Sequence, residues 1–361
     1  MYTLILRHSL YFCPLKQEPP RTILHLQDIF EAIRKLEEGS PVINLKDKEF
    51  GYLKRNLYFN LMEMPDGTIG AFPPNMLIRY FRGENKDYDE LYPCVPSMFR
   101  IKKLEDIGED GHRKQDLILI DELKLVEFEL ILEQFPQVNF AVQDYCKVDF
   151  RALAQHYDLN TNLLDVTSDI ATAAFFATHY YDSEKNEYRI KENGTGCLRV
   201  YSNIGIEYNE EQPFRMIGLQ PFQRPGLQCA FAVKMNKGEN FANFSHKVLF
   251  KQDVRWNQKL HDTFYPNGKN ILFPDEEIAD VAKILIETMG ISKQAIEKYC
   301  SINEISQDRV IQILNDNGHS IVENLNYKLS RQQLRMLERE YKGRPYGDVQ
   351  LRSRLMYIPQ N

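Results

Sequence analysis

Residues 116–135 limit most strongly what this chain can fold into. Apolar residues dominate the segment, and isolated Glu and Lys residues lie between them. Such a run predicts a long helix that is buried in a core, with Asp116 as its N-terminal cap. The 361 residues are enough to build that core as one large elaborated domain or as two small ones.

Segments on both sides of this helix alternate between helical and strand-like patterns. Apolar spacing predicts one helix at residues 26–36, ending before Gly39, and another at residues 142–157. Runs rich in Tyr, Phe and Leu predict strands from residue 51 to 61 and, after the turn Pro65-Asp66-Gly67, up to Phe81. Two later strands are predicted at residues 197–201 and 228–235, the first preceded by an Asn193-Gly194 turn.

Helical patterns return in the last third of the chain. Asp275 is expected to cap a helix over residues 278–289, which Gly290 ends. Two or three further helices are predicted within residues 292–341, the last of them starting at the cap Ser330, with Gly318 and Gly343 as breakers. We therefore expect an α/β or α+β fold, with a mixed central sheet flanked by helices and a helical C-terminal region. Its parts are N-terminal helix and strand elements (1–75), an α/β core (76–290) and a helical extension (291–361).

Composition narrows the function classes. The chain has 45 basic and 51 acidic residues and a net charge of −6, so it has no overall attraction for nucleic acid. A local basic cluster near the C-terminus is either a solvated helix face or a nucleic-acid patch. Its members are Arg331, Arg335, Arg339, Lys342, Arg344, Arg352 and Arg354.

The sequence has no signal for a metal site, a membrane span, a signal peptide or several common catalytic motifs. The 6 cysteines are scattered without zinc-ligand spacing, which predicts reduced thiols and no metal. No stretch reaches the ~20 apolar residues of a membrane span, and the N-terminus lacks a signal peptide pattern, so we expect a cytoplasmic protein. The G-x-S-x-G, H-E-x-x-H, Walker and G-x-G-x-x-G motifs are also absent.

Three groups of short motifs point to a known family. The first is Phe81-Arg82-Gly83, followed by Pro96-Ser97-Met98-Phe99-Arg100. The second is Ala154-Gln155-His156-Tyr157, which leads to Leu163-Leu164-Asp165 and Ala174-Phe175-Phe176-Ala177. The third is the spacing of Arg224, Gln228 and Phe231. Together they resemble the FRG-domain family over residues 78–289, although Asp158, Asn162 and Val166 stand where that family usually has glycine, arginine and tryptophan.

The chemistry of the motif residues leaves alternatives open. Arg82, beside a glycine that allows close approach of a ligand, suits a phosphate or carboxylate, but it can also pair with Glu84, Asp87 or Asp89. His156 is either a hydrogen-bonding or acid/base group or a satisfied core histidine. Thr167 and Ser168 either face a ligand at a helix N-terminus or cap a helix over residues 169–179.

The resemblance implies a function. The order of Arg82, Thr167 and Gln228 is similar to the arginine, serine/threonine and glutamate layout of ADP-ribosyltransferases, which use NAD as co-substrate and modify a protein or nucleic-acid acceptor. It implies four catalytic residues, Arg82, His156, Thr167 and Gln228. It implies six cofactor-binding residues, Arg82, Gly83, Arg100, Tyr157, Asp165 and Ser168.

One feature departs from that layout, because Gln228 stands where the glutamate is wanted and an amide cannot act as a base. The alternative is a non-catalytic module in a toxin or phage-defence setting, with a ligand pocket and with C-terminal helices that dock a partner.

Overall fold

A computed structural model describes residues 24–37, 58–63, 68–72, 79–88, 94–143, 147–202, 214–343 and 350–357. The predicted Pro65-Asp66-Gly67 turn, the start of the strand predicted from residue 51, and Gly39 lie outside these residues.

The strands in chain order are β1 Leu24–Leu26, β2 Tyr58–Glu63, β3 Ile69–Phe72, β4 Arg79–Glu84, β5 Leu163–Thr167, β6 His179–Asp182, β7 Glu187–Ile190, β8 Thr195–Ser202, β9 Phe214–Met216, β10 Ala230–Lys234, β11 His246–Lys251, β12 Gly290–Ser292, β13 Ser320–Val322 and β14 Gln350–Tyr357. The helices are α1 Ile29–Glu37, α2 Gln115–Leu132, α3 Pro136–Gln143, α4 Phe150–His156, α5 Ile170–Thr178, α6 Gln223–Leu227, α7 Val254–Phe264, α8 Glu277–Glu287, α9 Lys293–Asn303, α10 Gln307–Asp316 and α11 Arg331–Gly343.

Seven strands form the central sheet in the order β1-β11-β8-β4-β5-β10-β9. β1 runs parallel to β11, and the other neighbours are antiparallel. The sheet is therefore mixed and flanked by helices, which confirms the predicted fold class. The strands predicted at 197–201 and 228–235 are β8 and β10, and Gly194, at a φ of 100°, lies in the connection before β8.

The pairing of β4 with β5 is limited to one register position. β4 pairs with β8 at six positions, but it pairs with β5 only at Phe81 and Thr167. One step further along, the Arg82 guanidinium donates from Nη1 to the Asp165 carbonyl at 2.9 Å. A side chain thus satisfies a backbone acceptor that the ladder leaves unpaired, and the gap between the two strands opens space in the middle of the sheet.

Helix boundaries correct three predictions. α2 begins at Gln115 with Lys114 in the N-cap position, so Asp116 lies in the first turn and is not the cap. The single helix predicted over residues 142–157 is wrong, because the Asp149 side chain accepts from the Ala152 amide at 2.9 Å and starts a separate helix, α4. The N-cap of α8 is Glu276 rather than Asp275, and Gly290 opens β12.

The C-terminal region contains the predicted helices and three strands besides. Ser330 and Gln333 form reciprocal side-chain to backbone bonds at the start of α11, which confirms the expected cap. β12 pairs with β13, and β14 pairs with β2. The buried Glu127 of α2 accepts from the amides of Ser292 and Asn326, so this region is fastened to the long helix.

Two smaller expectations can be compared with the described residues. Cys94, Cys197, Cys229 and Cys300 are buried, and no disulfide joins any two of them; Cys13 and Cys146 lie outside the described ranges. Among the helices described, none combines the length and the apolar composition needed to cross a bilayer.

Candidate functional site

A cavity of about 480 Å³ lies where β4 and β5 separate. It is within the size range of small-molecule sites, roughly 300–1,000 Å³. Seven of the predicted site residues line it: Arg82, Gly83, Arg100, His156, Asp165, Thr167 and Gln228. Tyr157 and Ser168 do not, although both were expected to bind the cofactor.

His156 is held by Gln228 in one orientation. The Gln228 amide nitrogen donates to the Leu272 carbonyl at 3.1 Å, so its oxygen faces His156 Nδ1 at 3.1 Å and must accept from it. Burial lowers the pKa of His156 below its ordinary value, against the opposing charge of Asp165. A neutral imidazole with its proton on Nδ1 leaves Nε2 as a bare acceptor.

Asp165 is held by a second chain of directional hydrogen bonds. The Leu163 amide donates to the Thr161 hydroxyl at 3.0 Å, and that hydroxyl donates to the Gln155 side-chain oxygen. The amide nitrogen of Gln155 therefore points away from Thr161 and donates to Asp165 Oδ2 at 2.8 Å. None of these three hydrogen bonds reaches Asp165 Oδ1.

The two chains of hydrogen bonds end beside two acceptor atoms that receive no hydrogen bond. His156 Nε2 and Asp165 Oδ1 are 3.7 Å apart, both atoms are buried, and neither has a hydrogen-bond partner within the described part of the chain. Buried polar atoms are rarely left unpaired in proteins, because desolvation costs about 1–3 kcal/mol per group. Two adjacent unpaired acceptors on the wall of a cavity are therefore the strongest indication of a ligand site in this molecule.

Two arginines give the cavity a positive side. Arg100 donates from Nε to the Val95 carbonyl at 2.8 Å, and neither of its terminal nitrogens bonds to an acceptor among the described residues. Burial, reinforced by the nearby positive charge of Arg82, lowers the pKa of Arg100. A partly buried guanidinium without a carboxylate partner is suited to binding an anion.

Glu84 is the second carboxylate on the cavity wall. It receives Arg82 Nε at 3.2 Å and the buried Arg199 Nε at 3.1 Å. Two guanidinium groups therefore neutralise it, and it is not available as a base. Of the three acidic residues considered as partners of Arg82, Glu84 is bonded to it, Asp87 pairs with Lys247, and Asp89 lies outside the described residues.

Part of the cavity lining is aromatic. Phe176 of α5 and three tyrosines of the β6–β7 hairpin form it: Tyr180, Tyr181 and Tyr188. Tyr180 and Tyr181 are 37% and 51% exposed, so their rings lie at the rim of the cavity. Flat aromatic faces at a rim are typical of sites that stack planar rings.

Gly83 has a different role from the one expected. A Cβ at this position would lie 1.7 Å from the carbonyl oxygen of Ala173 in α5. The glycine is therefore required because helix α5 packs directly against the backbone of β4, and close approach of a ligand is not the reason.

Two other predicted site residues, Thr167 and Gln228, have their polar groups already engaged. The Thr167 hydroxyl donates to the Gln228 carbonyl at 2.7 Å and accepts from the Asp169 amide at 3.0 Å. Gln228 is used at both ends of its amide group. These two residues line the cavity but hold its shape.

Ser168 and Tyr157 lie elsewhere. The Ser168 amide donates to the Cys229 carbonyl at 3.2 Å, and the cap of α5 is Asp169, which corrects the expectation for Thr167 and Ser168. Tyr157 is buried under Arg224, and its hydroxyl donates to Glu276. Successive helical residues point roughly 100° apart, which is why His156 enters the cavity and Tyr157 does not.

Three kinds of residue that line or support the cavity were not among the predicted site residues. Gln155, which orients Asp165, is adjacent to His156 in the motif, and Glu84 follows the Phe81-Arg82-Gly83 motif directly. The Tyr180-Tyr181 pair was the available signal for the aromatic wall. Within the described ranges, no group of three or more His, Cys, Asp or Glu side chains is placed to hold a metal ion.

The fold and the cavity define a mixed α/β protein with a ligand-sized polar pocket at the centre of its sheet. Residues 78–186 match the family model of the FRG domain, so the chain contains an FRG domain. The match includes the motifs of Arg82, His156 and Asp165, and residues 187–289 of the resemblance, including Gln228, fall outside it. Neither the curated proteins nor the solved structures provide a match to this chain.

Proposed function

We propose that this FRG-domain protein binds NAD in the cavity and transfers ADP-ribose from it to a macromolecular acceptor, as ADP-ribosyltransferases do. The observation that carries the proposal is the unsatisfied pair His156 Nε2 and Asp165 Oδ1, which lies beside the two arginines. The proposed setting is a toxin or phage-defence role in the cytoplasm, with a protein or a nucleic acid as acceptor.

The walls of the cavity suit the parts of a dinucleotide. Arg100 and Arg82 offer N–H donors and positive charge to the pyrophosphate. The aromatic wall offers stacking faces to the nicotinamide or the adenine ring. We assign the His156 and Asp165 acceptors, which line the same cavity, to the sugar.

The chemistry needs charge stabilisation and one proton acceptor. In the transfer, the bond from ribose C1′ to the nicotinamide nitrogen breaks, and its electron pair leaves with nicotinamide. The Asp165 carboxylate lies where it can stabilise the positive charge that develops on the ribose. The acceptor nucleophile attacks C1′ and gives its proton to water, while Gln228 holds the imidazole in the tautomer whose Nε2 accepts from a ribose hydroxyl.

Asp165 supplies the carboxylate, so the proposed reaction does not need a glutamate at position 228. Gln228 then acts as a positioning residue, and Asp165 takes the electrostatic role. The alternative function, a non-catalytic binding module, is favoured by one observation: the other cavity carboxylate, Glu84, is neutralised by Arg82 and Arg199.

Release of nicotinamide from NAD tests the proposal. Asp165→Asn should lower the rate by roughly 100-fold or more, a loss typical of removing one electrostatic contact to a transition state. Asp275→Asn, whose side chain is 94% exposed, is the matched control and should leave the rate unchanged. No nicotinamide release by the wild type, with or without candidate acceptors, would favour the binding module.

The pH profile gives a second readout. Neutral His156 is the active form, so activity is present above its pKa and is lost as the pH falls through it. Gln228→Glu places a carboxylate against Nδ1, which raises the pKa of His156 and moves this loss to higher pH. An unshifted profile in Gln228→Glu would show that His156 is not the titrating group.

A further inference from the structure

The two unpaired acceptor atoms of the cavity restrict which ligand groups can bind beside them. We propose that His156 Nε2 and Asp165 Oδ1 bind a vicinal diol, the cis-diol of a ribose ring, with one hydroxyl donating to each atom. This inference rests on the proposed function only in taking the ligand to be ribose-bearing, and it names the group that the site recognises.

Because both protein atoms can only accept hydrogen bonds, a ligand group that also only accepts is excluded from this position. Gln228, oriented by Leu272, accepts the Nδ1 proton of His156, and Gln155, oriented by Thr161, donates to the other carboxylate oxygen of Asp165. A phosphate or carboxylate oxygen would face two lone pairs and would leave all three groups unsatisfied. A ligand cation would satisfy the pair, but Arg82 and Arg100 line the same cavity and repel it.

Two donors fit the pair better than one. The distance of 3.7 Å between the acceptors is too long for them to bond each other and leaves each free to take its own donor. Adjacent hydroxyls supply two donors and keep lone pairs that accept from nearby N–H groups. Arg82, which bonds the backbone carbonyl of Asp165, lies alongside to provide them. A primary amide also has two N–H donors, but its nitrogen cannot accept.

Titration calorimetry on the full chain compares three probes: ribose 5-phosphate, 2-deoxyribose 5-phosphate and nicotinamide. Loss of one hydroxyl bonded to a charged group should weaken binding of the deoxy sugar by about ten- to a hundredfold. Equal affinity for the two sugars, binding of neither at millimolar concentration, or preferential binding of nicotinamide that ribose 5-phosphate does not displace would each overturn the diol assignment.

Asp165→Asn supplies a test inside the protein. The amide oxygen can keep the contact with Gln155, and its NH₂ group then faces His156 Nε2 and donates to it. The pair is satisfied internally, so the preference for ribose over deoxyribose should disappear, whereas Asp275→Asn should retain it. An Asp165→Asn variant that folds normally and still discriminates would contradict the assignment.

NAD is titrated separately so that the two proposals fail independently. If NAD does not bind but ribose 5-phosphate is preferred, the proposed function is wrong and the diol site stands. If NAD binds and the two sugar phosphates bind equally, the diol assignment is wrong and the proposed function stands.

Discussion

Glu84→Ala is expected to lower the free energy of unfolding by about 3–5 kcal/mol, the usual cost of removing one partner from a buried ion pair. Glu84 is 6% exposed and Arg199 is 2% exposed, and the carboxylate bonds both Arg199 and Arg82. Without it, two guanidinium groups on neighbouring strands lose the carboxylate that bonds them both. Urea unfolding followed by circular dichroism measures the loss.

Two variants show whether burial of charge is the cause. Glu105→Ala breaks an exposed pair with Lys103, and such pairs contribute little, so stability should hardly change. Combining Glu84→Leu with Arg199→Met removes both charges and should recover part of the loss seen for Glu84→Ala. A Glu84→Ala protein as stable as wild type would show that the cluster is not a buried ionic network.

Gly83→Ala should destabilise the fold by at least the roughly 1–3 kcal/mol typical of overpacking a well-packed core. The added Cβ would meet backbone atoms of Ala173 and Ala177 at 1.7 and 2.7 Å. Relief would require α5 to move away from β4, and both elements form walls of the cavity. Thermal and denaturant unfolding of the variant give the size of the effect.

Gly108→Ala is the matched control for that substitution. Its added Cβ would meet the Asp110 side chain at 3.2 Å, and that side chain can move. We expect a change within about 0.5 kcal/mol there, as for most surface substitutions. If Gly83→Ala were equally mild, the glycine of the motif would not be explained by helix packing.

Local patterns in the sequence were sufficient for the fold class. The apolar run that became α2, the strands β8 and β10, and the cap of α11 at Ser330 were predicted because each depends on residues close in the chain. The helix predicted over residues 142–157 failed because the Asp149 cap outweighed a continuous apolar pattern. Caps at Asp116 and Asp275 failed by one or two residues, since several neighbouring polar residues can take that position.

Only part of the site could be predicted from the sequence. Motif resemblance brought Arg82, His156 and Asp165 together, but it could not show the direction of the hydrogen bonds. The direction of the hydrogen bonds depends on Leu272, which no local pattern connects with His156, and on the bond from the Thr161 hydroxyl to Gln155, which a residue pattern does not specify. The engagement of Thr167 and the packing role of Gly83 were hidden for the same reason, because each depends on a contact distant in sequence.

Calorimetric titration of NAD into wild-type protein and Arg82→Ala tests the central claim most directly. Arg82 donates to Asp165 and lines the positive side of the cavity, so its loss should weaken NAD binding by roughly ten- to a hundredfold, or ~1.5–3 kcal/mol. Because Arg82 also pairs with Glu84, the melting curve of the variant must first show that it is folded. Binding of NAD to the wild type with this loss in folded Arg82→Ala is the expected result. No heat of binding for the wild type up to millimolar NAD would contradict it.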